Sequence, residues 1–111
     1  MEATDCIVVL VTAGSQAEGE RIAEVLVGER LVACVNIVGP IRSVYRWENA
    51  IQRDDEWLLI AKTRADQFAA VAARVRAVHS YTTPEVIALP ITVGSDAYLD
   101  WLRGVTRQAQ D

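Results

Sequence analysis

The longest β-rich stretch of the chain decides the fold, and it reads ACVNIVGPIRSVYRWENAIQRDDEWLLIAKT over residues 33–63. Side chains alternate with a two-residue period on both sides of Glu48-Asn49, a pair that predicts a turn because Asn tolerates left-handed backbone. Gly39-Pro40 interrupts the first arm and predicts a bulge or bend, since proline cannot donate to a ladder. The stretch therefore predicts a hairpin with arms over residues 33–47 and 51–63.

A strand and a helix precede this hairpin. Residues 6–12 form an uninterrupted apolar run rich in β-branched side chains, which predicts a strand buried on both faces and central in its sheet. Ser15 and Glu18 have the spacing of a capping box and predict the start of a helix. Four apolar residues are predicted to share the buried stripe of that helix: Ile22, Ala23, Leu26 and Val27.

A second helix and a fourth strand follow the hairpin. Residues 63–66 resemble another N-terminal cap, and apolar residues at three- and four-residue spacing then predict a helix with the apolar face Phe68, Val71, Ala72, Val75 and Val78. Residues 86–93 predict a strand, which Pro90 places at a sheet edge. Ser95 predicts the cap of a short helix whose apolar face is Tyr98, Trp101, Leu102 and Val105.

The element order is β-α-β-β-α-β followed by a short helix, which is the ferredoxin-like pattern of an α/β (α+β) sandwich. Both long helices are expected on one face of the sheet. A chain of 111 residues is long enough for one such core and too short for two. We therefore predict a single ferredoxin-like domain over residues 1–111, with a long hairpin between the second and third strands.

Composition excludes several function classes. The net charge of −4 and a pI near 4.9 leave no basic stripe for nucleic acid or an anionic membrane. The longest purely apolar run has six residues, Cys6 to Val11, whereas a spanning helix needs about 20. No secretory signal is visible, so a cytoplasmic location is expected. Cys6 and Cys34 are expected to stay free thiols there.

The hairpin is predicted to overhang its own domain. Each arm has about 13 residues and spans roughly 43 Å, whereas a covering helix of about 16 residues reaches only ~24 Å. Unpaired strand edges invite association, and the overhang carries the large aromatics Tyr45, Trp47 and Trp57, which favour interfaces. We therefore expect an oligomer whose hairpins extend one another's sheets. These residues alone do not set the number of subunits.

Five segments in order along the chain resemble the CutA1 divalent-cation tolerance family. They are Ala33-Cys34-Val35-Asn36-Ile37, Ser43-Val44-Tyr45-Arg46-Trp47-Glu48, Glu56 with Lys62-Thr63, His79-Ser80-Tyr81-Thr82-Thr83-Pro84-Glu85, and Tyr98-Leu99-Asp100-Trp101. The resemblance implies a homotrimer with hairpins paired between subunits. It also implies a role in tolerance of copper and other divalent cations. Asn49 departs from the glycine that is usual in the hairpin turn, and Ser80 departs from a common proline.

His79 and Cys34 are the candidate metal ligands. Neutral imidazole and thiolate suit copper and zinc, whereas carboxylates bind such metals weakly, so the run Asp54-Asp55-Glu56 is expected to keep the edge soluble. One chain offers too few donors for a closed site, and symmetric copies would have to supply more. The alternative role of His79 is that of a cation at the helix C-terminus, where it interacts favourably with the helix dipole and the last carbonyls. The alternative role of Cys34 is that of a small buried hydrophobe.

No nucleophile elbow or phosphate loop is present, so the sequence predicts a protein that is not an enzyme. Seven polar and aromatic residues carry the family resemblance without belonging to the predicted core. We expect them to form either the trimer interface or an intersubunit cleft for a small molecule or protein partner. They are Tyr45, Trp47, Glu56, Lys62, Tyr81, Glu85 and Trp101.

Overall fold

The computed structural model describes residues 4–107 and confirms the ferredoxin-like order of elements. A 3-10 turn, Ala65–Gln67, comes directly before the second helix. The strands and helices are β1 (Cys6–Ala13), α1 (Gln16–Gly28), β2 (Cys34–Trp47), β3 (Ala50–Arg64), α2 (Phe68–Val78), β4 (Val86–Pro90) and α3 (Asp96–Val105).

The four strands form one antiparallel sheet in the order β2-β3-β1-β4. The predicted central position of β1 is confirmed, because β3 and β4 flank it. The predicted edge position of β4 is confirmed as well. The fourth strand is shorter than predicted, since it ends at Pro90 rather than at Val93, and Pro90 cannot donate to the ladder. Within residues 4–107, no helix is long and apolar enough to cross a membrane.

A two-residue turn closes the hairpin, as predicted. Trp47 pairs with Ala50, and both intervening residues have left-handed backbone, with φ of 50° at Glu48 and 65° at Asn49. This geometry matches the twist of the two strands. The predicted irregularity at Gly39-Pro40 is also confirmed, because the pairing register shifts between Val38 and Ile41.

Gly39 is required by a close approach rather than by its backbone angle. A Cβ at this position would overlap the Trp57 ring. The ring of Trp57 therefore lies directly against the bulged backbone of β2.

One face of the sheet is covered by both long helices, as predicted. Val9 and Val11 of β1 are fully buried there, together with Leu26 of α1 and Val71 of α2. The predicted stripe of α1 is wrong at Val27, whose side chain is 42% exposed, because the helix turns that residue away from the sheet. A helix that covers one sheet face buries only about 100° of its surface.

Of the three predicted caps, two are confirmed and one is wrong. Ser95 caps α3 as predicted, because its hydroxyl accepts a hydrogen bond from the Tyr98 amide. Ser15 accepts a hydrogen bond from the Glu18 amide and caps α1, which is confirmed. Thr63 does not cap α2, and that prediction is wrong. Its hydroxyl is buried at the end of β3 and donates to the Leu31 carbonyl at 2.6 Å, while the 3-10 turn starts the helix instead.

The predicted apolar face of α3 is partly wrong. Leu99 and Leu102 are the buried residues, and they pack with Cys6 and Ala33 at one end of the sheet. Tyr98 and Trp101 are exposed instead, with relative exposures of 42% and 45%. Spacing alone placed Tyr98 and Trp101 on the apolar face, whereas the helix packs through its two leucines.

The other face of the sheet is largely uncovered, and we call it the open face. Strand register places on it Val8, Leu10, Thr12, Cys34, Asn36, Val38, Leu58, Ile60, Lys62, Ile87 and Leu89. Most of these side chains are apolar, yet Val38, Ile87 and Leu89 remain about half exposed. The outer part of the hairpin is also exposed or partly exposed, since no residue from 41 to 55 is buried.

Candidate ligand pocket and metal donors

His79 follows α2 and is held by two backbone hydrogen bonds. Its Nε2 lies 2.7 Å from the Thr12 carbonyl oxygen, and its Nδ1 lies 3.0 Å from the Tyr81 amide. A carbonyl only accepts and an amide only donates, so Nε2 carries the proton and Nδ1 does not. The side chain is fully buried. His79 therefore ties the end of β1 to the loop after α2, and both its nitrogens are occupied.

Glu18 fixes the same loop from the other side. Its carboxylate accepts hydrogen bonds from the Ser80 amide at 2.8 Å, the Ser80 hydroxyl at 3.0 Å and the Gly14 amide at 3.3 Å. Burial alone would raise the pKa of Glu18, but these hydrogen bonds outweigh it, and the pKa lies below its ordinary value. The sequence predicted only a capping role for Glu18, because Ser80 lies 62 residues away.

Glu56 and Tyr81 form the buried centre of a pocket. The Tyr81 hydroxyl donates to Glu56 Oε2 at 2.9 Å, and Glu56 is only 7% exposed. Burial, followed by the hydrogen bond to Glu56, raises the pKa of Tyr81 far above its usual range. The phenol therefore keeps its proton at any physiological pH.

The pocket around this pair has a volume of about 620 Å³. Its floor is the hairpin end of the open face, and the loop after His79 forms one wall. The residues that line it are Thr12, Ile41, Ser43, Val44, Tyr45, Trp47, Glu56, Leu58, Tyr81, Thr82, Thr83 and Glu85. Such a volume is within the range of small-molecule sites.

Five of the seven predicted cleft residues meet in this pocket. The two others lie at the opposite end of the sheet. Lys62 pairs with Cys34 in the register of β2 and β3, and its ammonium group donates to Asn36. Trp101 stacks against Tyr98 on α3, with ring centroids 5.5 Å apart. The binding role of all seven stays a prediction.

The two predicted metal ligands lie far apart within one protomer. In the sheet register, Cys34 and Val8 both pair with Lys62 of β3, so Cys34 lies at the level of Val8. His79 contacts Thr12, which is four residues further along β1. The two candidate ligands are therefore separated by ~13 Å along the strand direction. Cys34 is partly exposed, and its sulfur lies 3.8 Å from the Tyr98 hydroxyl. Over residues 4–107, no three His, Cys, Asp or Glu side chains converge as a metal site.

The family model for the CutA1 divalent ion tolerance protein matches residues 7–105. This chain belongs to the CutA1 family. A CutA1 relative named "Protein CutA, chloroplastic", from Arabidopsis thaliana, is 52% identical over 101 residues, which cover 91% of this chain and 56% of that protein. The chain thus spans a little over half the length of that relative.

Two solved CutA1 structures superpose closely on this fold. The divalent cation tolerance protein (Cut A1) of Thermus thermophilus is 48% identical, with a TM-score of 0.90 over 92% of this chain and 99% of that one. The periplasmic divalent cation tolerance protein CutA of Archaeoglobus fulgidus is 44% identical, with a TM-score of 0.88 over 90% and 97%. The family prediction is confirmed. Since relatives are named as chloroplastic or periplasmic, the cytoplasmic location stays a prediction.

Proposed function

We propose that this CutA1 protein serves divalent-cation tolerance as a homotrimer and catalyses no reaction. The open face is the observation that supports the assembly. Its apolar side chains Val38, Ile87 and Leu89 are about half exposed, and soluble monomers rarely expose contiguous apolar patches of this kind. Association of identical faces around a symmetry axis would remove them from water. The number three comes from the CutA1 resemblance.

The hairpin supports the same assembly. An arm of 14 residues spans ~43 Å, whereas the 13 residues of α1 span only ~20 Å. Because residues 41–55 contain no buried side chain, the outer hairpin is only partly packed within its own protomer. We propose that hairpins of neighbouring subunits supply the remaining packing. Hydrogen exchange tests this step: amides at the free edge of β2 should be protected in the assembly, and rapid exchange there would contradict it.

Cation binding is proposed at Cys34 and His79. Cys34 offers a partly exposed thiol, which suits copper, whereas His79 would have to give up its hydrogen bond to Thr12 or Tyr81 to bind a metal. Because the two residues lie far apart in one protomer, each would have to bind together with donors from symmetric copies. Cys34 is therefore the first residue to test.

Calorimetric titration with Cu(I), Cu(II) and Zn(II) tests this assignment. Cys34→Ser should abolish specific copper binding and leave the mass of the assembly unchanged. The same two results are expected for His79→Ala, and the mass of each variant shows whether it still folds and assembles. The double variant Asp54→Asn with Asp55→Asn is the matched control and should bind as the parent does. The assignment fails if the acidic variant loses the metal while both ligand variants keep it.

A second candidate function rests on the pocket around Glu56. In this alternative, the trimer is a signalling or scaffold protein that binds a small molecule or a protein partner in clefts between subunits. The observation that favours it is the buried carboxylate in a 620 Å³ pocket at the hairpin end of the open face. Substitution of Glu56 separates the two candidates, because it should alter pocket binding and leave copper binding intact.

A further inference from the structure

The Glu56 carboxylate has one oxygen that is open to the pocket. Its one side-chain hydrogen bond within the described residues comes from the Tyr81 hydroxyl to Oε2. No fully buried side-chain oxygen lacks a partner in the part of the chain that the structure describes, so Oε1 is in contact with the open space of the pocket. Oε1 is therefore available to accept a hydrogen bond from a donor group of a ligand in the pocket.

The pocket carries negative charge and aromatic surface together. Among its described lining residues, the charged side chains are Glu56 and Glu85, and none is Lys, Arg or His. Tyr45, Trp47 and Tyr81 add three aromatic rings. Anionic ligands would meet only like charge here, whereas ring faces and carboxylates both attract cations.

A hydrated divalent metal ion fits this pocket poorly. Such an ion takes several oxygen, nitrogen or sulfur ligands, and no group of three acidic, His or Cys side chains converges within residues 4–107. Aromatic rings and aliphatic side chains such as Ile41 and Leu58 make up much of the remaining wall. That wall favours a cation with an apolar body.

We propose that the pocket binds a small organic cation, a primary ammonium or guanidinium group on a short apolar body. The cation donates to Glu56 Oε1, and the ring of Tyr45, which lies nearer to Glu56 than Trp47 in the strand register, contacts its charged end. Tyr81 holds the other carboxylate oxygen and so fixes the orientation of the acceptor. This inference deepens the second candidate function and rests on the pocket, not on metal binding.

A charge series on one alkyl chain tests the proposal with the intact protein. The ligands n-butylammonium, n-butanol and butyrate have nearly equal size and differ in charge. An NMR titration that follows the Trp47 indole should show butylammonium binding at least tenfold more tightly than butanol, and no binding of butyrate. Equal affinity of all three ligands would overturn the proposal.

Two variants locate the charge that recognises the ligand. Glu56→Gln should weaken butylammonium binding at least tenfold, because the amide keeps the shape and removes the charge. Asp55→Asn makes the same charge change outside the pocket, beside Arg42, and should stay within twofold of the parent. Unchanged binding by Glu56→Gln overturns the proposal. If that variant does not fold, the ligand series on the parent protein still decides.

One competing occupant is a basic side chain from a second copy of the chain. In that case, the parent protein would bind none of the three ligands, and Glu56→Gln would dissociate the assembly; this pair of results also overturns the proposal. Light scattering on each sample measures the mass of the assembly, so the trimer proposal is tested separately from the organic-cation proposal. A monomer that binds butylammonium would contradict the trimer and leave the pocket assignment intact.

Discussion

The two faces of the sheet have similar apolar content and very different surroundings. Val9 and Val11 on the covered face are fully buried beneath α1 and α2, whereas Ile87 and Leu89 on the open face remain about half exposed. β1 sends alternate side chains to both faces, and nearly all of them are apolar. A strand of this kind needs a partner layer on each side. The chain supplies one layer itself, and we propose that identical chains supply the other.

Truncation on the covered face is expected to have the largest effect. Leu26→Ala removes a side chain that is 1% exposed and leaves a cavity beneath α1. Such substitutions cost about 2–5 kcal/mol of stability. Urea unfolding should show this loss, and a change below about 1 kcal/mol would mean that the covered face is loosely packed. Val27→Ala on the exposed side of α1 is the control and should change little.

A charge on the open face should break the assembly and spare the protomer fold. Leu89→Asp places a carboxylate where the proposed trimer buries an apolar side chain between subunits, at an expected cost of about 2–3 kcal/mol. Light scattering should report smaller particles, while far-ultraviolet circular dichroism stays unchanged. Val93→Asp lies beyond β4 and should keep the parent mass. If both variants keep it, Leu89 does not lie in the interface.

Glu18 links the two faces, because it joins α1 on the covered face to the loop beside the pocket. Glu18→Gln should cost about 1–2 kcal/mol, since hydrogen bonds to a charged acceptor exceed those to a neutral one. The pKa of Glu18 lies below its ordinary value of 4.5 in the folded state. Its stabilisation is therefore complete above about pH 4.5 and is lost as the pH falls through the folded pKa.

Unfolding measured between about pH 3 and pH 7 checks this linkage. The parent protein should lose more stability than Glu18→Gln as the pH falls below 4.5, so the two curves should converge at low pH. Glu20→Gln, on the exposed surface of α1, serves as the control for the change in net charge. Parallel curves for the parent and Glu18→Gln would show that the carboxylate contributes nothing through its charge.

The smallest effect is expected at the tip of the hairpin. Glu48 has left-handed backbone, which is strained for most side chains and which Asn tolerates. Glu48→Asn should therefore stabilise the protein by about 0.5 kcal/mol, measured as a higher urea midpoint. Thermal midpoints of the same variant provide a second measurement. A loss of stability would mean that the Glu48 side chain makes a contact that matters in the assembly.

The fold was predictable because its signals are local. The two-residue alternation and the turn at Glu48-Asn49 predicted the hairpin, and the run from Cys6 predicted the central strand. The errors arose where distant contacts decide the outcome. Thr63 donates to the Leu31 carbonyl instead of capping α2. In α3, the side chain of Leu99 rather than that of Tyr98 packs against the sheet. Local periodicity contains no information on such partners.

The candidate site was only partly predictable for the same reason. Family resemblance selected Glu56 and Tyr81, which meet across 25 residues of sequence. It could not separate them from Lys62, which lies at the other end of the sheet. The hydrogen bond from His79 to Thr12 spans 67 residues, and no spacing rule indicates it. Residue identity suggested a metal ligand, whereas the structure gives both ring nitrogens backbone partners.

Absolute mass in dilute solution tests the central claim most directly. We predict a single species at three times the protomer mass of 12.2 kDa, because association removes the open face and the outer hairpin from water and the CutA1 resemblance implies three subunits. Light scattering coupled to size-exclusion chromatography measures this, and the mass should persist on dilution into the low micromolar range. A stable, folded monomer at 12.2 kDa would contradict the proposed assembly.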